Sequence, residues 1–209
     1  MRLTRYLAQT GQARMTRAAT LLVIVGAAGL VAGCSETVRT GQASSYLVLE
    51  RLEGSSGATA GATFQSVLRS DVLTKGSIFE DNGRVALSIA MKDVTNPTGP
   101  SANNAITLNR YRVEYRRTDG RNTPGEDVPY AFDGAMGVTV SDQSTSVVFT
   151  LVRAQAKLEK PLITLKGNNG ALVISTIADV TFFGKDRAGR DVTVTGSMSI
   201  NFADWADPQ

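Results

Sequence analysis

Histidine is absent from this chain, which excludes catalytic triads built on histidine, histidine general bases and histidine metal ligands. There is one cysteine, Cys34, so no intramolecular disulfide can form and a thiolate zinc site of the usual kind has no second sulfur. Aromatic residues make up 6% of the chain and include one tryptophan, Trp205, fewer than stacked sugar platforms usually use. Neither a Gly-x-Ser-x-Gly elbow nor a Ser-x-x-Lys pair occurs, so serine nucleophile chemistry has no sequence support. Acidic residues are missing from the first 33 positions, which carry Arg2, Arg5, Arg14 and Arg17.

That last absence changes the meaning of the net charge. The sequence pI near 9.2 invites a nucleic-acid reading. Four of the 22 lysines and arginines precede Cys34, leaving 18 against 19 acids, a net charge of −1 from Cys34 onward. A neutral body argues against a polyanionic partner such as nucleic acid. The 176 residues from Cys34 onward suffice for one domain with a real core.

After the arginines, Leu21 to Leu30 forms an uncharged apolar run, followed by small residues and Cys34. A basic region, an apolar region and a small-residue site is the order of a secretory signal. The apolar run is shorter than the roughly 20 residues that span a bilayer. The segment Val31-Ala32-Gly33-Cys34 resembles the lipobox of bacterial lipoproteins. The resemblance implies removal of residues 1–33, with Val31, Ala32 and Gly33 recognised by the lipoprotein signal peptidase. It also implies a covalent diacylglycerol, and further acylation, on Cys34. An exported chain with a single thiol gives that cysteine no disulfide to make, in agreement with lipidation. More than one acyl chain anchors a protein stably. Ser35, where an aspartate would imply inner-membrane retention, implies the outer membrane if the organism has one. No other cofactor and no metal are expected.

Residues 34–44 read as a lipidated cysteine and a flexible polar tether. From Ser45 the apolar period becomes two. Strands are expected at Ser45–Leu52, Phe64–Thr74 (irregular), Arg84–Lys92, Ile106–Arg117, Met136–Val140, Ser146–Leu158, Leu172–Phe182 and Val192–Phe202. Asp81-Asn82-Gly83 reads as a turn, residues 55–62 as a flexible loop and Gly184–Arg190 as a hairpin loop. The change of apolar parity between Leu108 and Tyr111 predicts a bulge near Asn109 or Arg110. A similar change within Ser146–Leu158 predicts a strand that bends between sheets. No amphipathic helix is expected after Cys34. Residues 45–209 are therefore expected to form an all-β antiparallel sandwich of about eight or nine strands. A closed barrel is the alternative. A membrane-spanning barrel conflicts with the Thr, Ser, Arg and Lys on the second strand faces. In strand count and spacing the domain resembles immunoglobulin-like sandwiches, without their Cys…Trp…Cys pattern. Ile106–Gly134 resembles segments of uncharacterised envelope lipoproteins.

Arg110, Arg112 and Arg116 share a strand parity and are candidates for an anionic ligand or partner surface. The plainer reading is a solvated face balanced by acids on neighbouring strands. Asp119, Glu126, Asp127 and Asp133 carry the oxygens a calcium loop uses, but without EF-hand spacing. Tyr130 and Phe132 are candidate contact residues, or else cover the sandwich end. Trp205 is expected against the sandwich edge. The foremost functional reading is a non-enzymatic, lipid-anchored envelope module that docks another envelope protein or a surface assembly. The others are a glycan- or surface-ligand-binding module and a carboxylate-dependent hydrolase, whose acid pair is a spatial property.

Overall fold

The computed structural model describes residues 43–205 apart from residues 60, 94 and 96–98. Residues 1–33, the Val31-Ala32-Gly33-Cys34 motif and most of the expected tether lie outside the described residues. Within them, alternating apolar residues build eight strands: β1 Ser45–Ser56, β2 Val67–Asp71, β3 Asp81–Met91, β4 Ile106–Arg116, β5 Phe132–Val140, β6 Thr145–Val152, β7 Ile174–Asp186 and β8 Asp191–Ala203. They form a three-stranded sheet, β1-β3-β6, and a five-stranded sheet, β2-β8-β7-β4-β5. The fold is an all-β sandwich.

The core lies between the inward faces. Val85, Leu87 and Phe149 of one sheet meet Val113, Val180, Phe182 and Ile200 of the other. Phe149 joins the two sheets, 4.9 Å from the Tyr111 ring and 5.4 Å from Phe182 in edge-on contacts. Glycines make room for these rings. Gly83 lies opposite Phe149, and Gly134 opposite Tyr111, in cross-strand pairs. A side chain on either would run into the ring beside it.

The expected bulge in β4 is present: both of its neighbours change register between Leu108 and Arg110. Other expectations are corrected. Asp81-Asn82-Gly83 is not a turn; it opens β3, paired to Ser56, Ser55 and Gly54 of a first strand longer than expected. Asp81 can enter a strand because its carboxylate is satisfied inside the protein. β2 runs parallel to β8, so the sandwich is not purely antiparallel. The parity change in β6 is a bulge at Leu151, since Asp81 pairs with Val152 and Asn82 with Thr150. Leu151 and Val152 are therefore both buried, and the strand does not switch sheets. The chain instead leaves β6 through a five-residue helix, α1 (Ala154–Leu158), and a 3-10 turn at Leu162–Leu165, where no helix was expected. β7 starts at Ile174, so Leu172 lies outside the strand and is exposed.

The ends of β1, β4, β6 and β8 gather at one pole with the starts of β3, β5 and β7. The chain enters β1 at the other pole, where Ser45 pairs with Met91.

Candidate functional site

The arginine face is assembled on β4 with acids from its neighbours. Arg110 and Arg112 each reach an oxygen of Asp133 on β5 at 2.7 Å. Arg112 also holds Glu114 at 2.7 Å, and Arg116 holds Asp179 of β7 at 2.6 Å. Three guanidiniums thus meet three carboxylates on a solvated face. Arg110 also lies 3.9 Å above the Phe183 ring. The acids hold Arg112 and Arg116 more firmly protonated than usual, chiefly through the side-chain hydrogen bonds these guanidiniums donate to Glu114 and Asp179. A ligand here would have to displace acids already in place.

The Asp119–Asp133 loop is closed on itself. Arg117 and Arg121 grip Asp119, and the hydrogen bond from Arg117 drives its carboxyl well below the usual range. Asn122 Oδ1 accepts the Arg117 N–H, and Asp127 accepts the Thr123 N–H. No group of three potential metal ligands occurs among the described residues. Tyr130 is 51% exposed, whereas Phe132 is a core residue against Tyr111. Phe132 is thereby removed from any contact surface. Its parity with Met136, Val138 and Val140 was the signal that marks it as inward.

Two clefts lie elsewhere. One, over the outer face of the smaller sheet, carries Glu50, Glu53, Arg51 and Arg84. Arg84 clamps Glu53 at 2.6 Å, and hydrogen bonds from Ser88 and Ser144 lower Glu50. Those hydrogen bonds favour the ionised form of Glu50, the opposite of the raised value that a general acid in glycoside cleavage needs. The other cleft is bounded by the end of β1, the following loop, β2 and Trp205. Here Arg69 lies 4.1 Å above the Trp205 ring. Sequence reading placed Trp205 at an edge but missed Arg69, which lies far from it in the chain and belongs to no motif.

A buried polar cluster ties the loop pole together. Lys157 of α1 approaches Asp81 Oδ2 at 2.9 Å, with 1% and 0% side-chain exposure. Ser70 Oγ donates to the same carboxylate at 2.5 Å, and the Gly57 N–H reaches its other oxygen. Burial is the largest influence on Asp81 and raises its pKa against the opposing pull of Lys157. Tyr115 Oη donates to the Leu151 carbonyl at 2.7 Å beside this cluster, and burial pushes its pKa up. Lys157 is enclosed on all sides, so the cluster holds β2, β3 and α1 in place and faces no substrate.

The two flanks of the sandwich differ. β1 and β2 form one pair of sheet edges, and they carry Glu50, Arg51, Glu53, Arg69 and Asp71. β5 and β6 form the other pair. β6 has no charged residue and no proline, and β5 has one charge, Asp133 at its start. Val148 in β6 is 54% exposed. No family model matches the chain, and no curated protein matches its sequence.

Proposed function

We propose that this protein is a lipid-anchored, non-enzymatic binding module of the cell envelope. In this reading Cys34 carries the diacylglycerol after residues 1–33 are removed, and Ser35 sends the protein to the outer membrane where one exists. The tether then leads into β1 at the pole where Ser45 pairs with Met91. The domain docks an extended segment of another envelope protein along the β5–β6 flank.

The observation that carries the docking reading is that β6 is an edge strand without charge. An edge strand presents unpaired N–H and C=O groups, and proteins blunt such edges with charge, proline or cover. The β1–β2 flank is blunted by charge, whereas eight residues of β6 are uncharged and free of proline. Strand addition to an open edge supplies main-chain hydrogen bonds, with side-chain pockets setting specificity. The balanced arginine face contributes solubility to this module.

The test is a photo-crosslinking residue placed at Val148 in the full chain inside cells, with Thr193 on the polar face as control. A discrete adduct from position 148 alone supports the reading. Equal adducts from both positions, or none from 148, overturn it. Val148→Glu should abolish the docking without unfolding the domain, because the new carboxylate lies across from Arg84.

A further inference from the structure

The cleft beside Trp205 has a volume of about 390 Å³, within the range of small-ligand sites. It lies on the β1–β2 flank, away from the β5–β6 edges. Ser56, Thr59, Thr63 and Gln65 give its walls hydroxyl and amide groups. Arg69 and Trp205 complete it.

Trp205 is set rigidly. Its backbone N–H donates to Asp71 Oδ1 at 2.9 Å, and Gly170 packs below the indole, where even a methyl group would come within 3.5 Å. The indole N–H is shielded from solvent and has no acceptor among the described residues. The Arg69 guanidinium lies over this platform, its central carbon 4.1 Å from the ring centroid. Arg84, Arg110, Arg112, Arg116, Arg117 and Arg121 are each paired with a carboxylate. Among the described residues no carboxylate lies within ion-pairing distance of Arg69. A guanidinium held over an indole at the wall of a polar cleft, with no carboxylate partner among the described residues, suits a planar anion.

We propose that this cleft binds a carboxylate-bearing sugar. Arg69 takes the carboxylate through two parallel N–H···O bonds, and the Ser, Thr and Gln side chains take the ring hydroxyls. One guanidinium balances one carboxylate, whereas a phosphate monoester brings nearly two charges. The carboxylate chemistry is shared by acidic peptides; the hydroxyl-lined walls select the sugar.

The chain has one tryptophan, and it lines this cleft, so intrinsic fluorescence reports binding directly. The experiment titrates the full chain in detergent with a short oligogalacturonate, the matching neutral oligogalactoside and a poly-glutamate peptide. A saturable change with the uronate is expected, weakened by added salt. Arg69→Gln should weaken it roughly tenfold or more, the worth of a charged hydrogen bond. Arg69→Lys, which keeps the charge but loses the fork, should fall between. Equal binding of the neutral sugar overturns the role of Arg69, and equal binding of poly-glutamate overturns the sugar assignment. No saturable change with any probe overturns the site. Val148→Glu should leave the titration unchanged, which separates this site from docking at the other flank.

Discussion

Replacing Lys157 by methionine keeps most of the side-chain stem and removes only the charge. The Asp81 carboxylate, fully enclosed, is then left with the Ser70 hydroxyl and the Gly57 N–H. Removing one partner of a buried ion pair costs about 3–5 kcal/mol, most of it from the charge left behind. Stability is read by equilibrium urea unfolding of the full chain, followed by Trp205 fluorescence and far-ultraviolet circular dichroism. Replacing the whole cluster by apolar groups (Lys157→Met, Asp81→Leu and Ser70→Ala together) removes the stranded charge and should recover most of the loss. The pH dependence follows from the raised pKa of Asp81, whose ordinary value is 3.8. The folded state binds this proton more tightly than the unfolded state. Its contribution is therefore complete below the unfolded value and is lost as pH rises through the folded one. Lys157→Met raises the folded value further, so its cost should be smaller near about pH 4 than near about pH 8. A loss below about 1 kcal/mol at neutral pH, or no pH dependence of the loss, would refute the reasoning.

Three further outcomes are expected. Gly83→Ala places a carbon 2.5 Å from Phe149 Cζ and should lower unfolding stability by about 1–3 kcal/mol, measured by the same urea transition. Arg112→Ala with Arg116→Ala should leave both thermal stability and retention on an anionic polysaccharide column nearly unchanged, because exposed, already balanced pairs contribute little. Cys34→Ser should abolish acylation and leave residues 1–33 attached, read by mass spectrometry of the amino-terminal peptide, since both follow from the proposed lipobox.

Strands that alternate cleanly were legible in the sequence. β3 and β8 carry their large apolar residues on one parity and β7 its buried ones, and the parity break at Leu108–Tyr111 gave away the β4 bulge. Elements set by long-range pairing were not. β2 is a short strand defined by its parallel partner β8, a relation no local pattern encodes. Asp81 has the same parity as Gly83, Val85, Leu87 and Ile89, which places it inward, yet turn chemistry outweighed that signal. Its partner Lys157 follows 76 positions later, and burial of a lysine is an outcome of folding that composition does not announce. The bulge at Leu151 mimicked a strand that changes sheets. At the surface, Glu114 lies beside its arginines in the sequence, but Asp133 and Asp179 reach them only through the sheet. The Arg69–Trp205 stack joins residues 136 positions apart.

The central claim is that a lipid-anchored sandwich docks an envelope protein through its uncharged edge. The most direct measurement is mass spectrometry of the Val148 photo-crosslinked protein recovered from cell membranes, with the amino-terminal peptide read from the same sample. The account predicts an amino terminus at an acylated Cys34 and one recurrent envelope protein joined through position 148, absent from the Thr193 control. An unmodified Cys34, or crosslinks no different from the control, would contradict it.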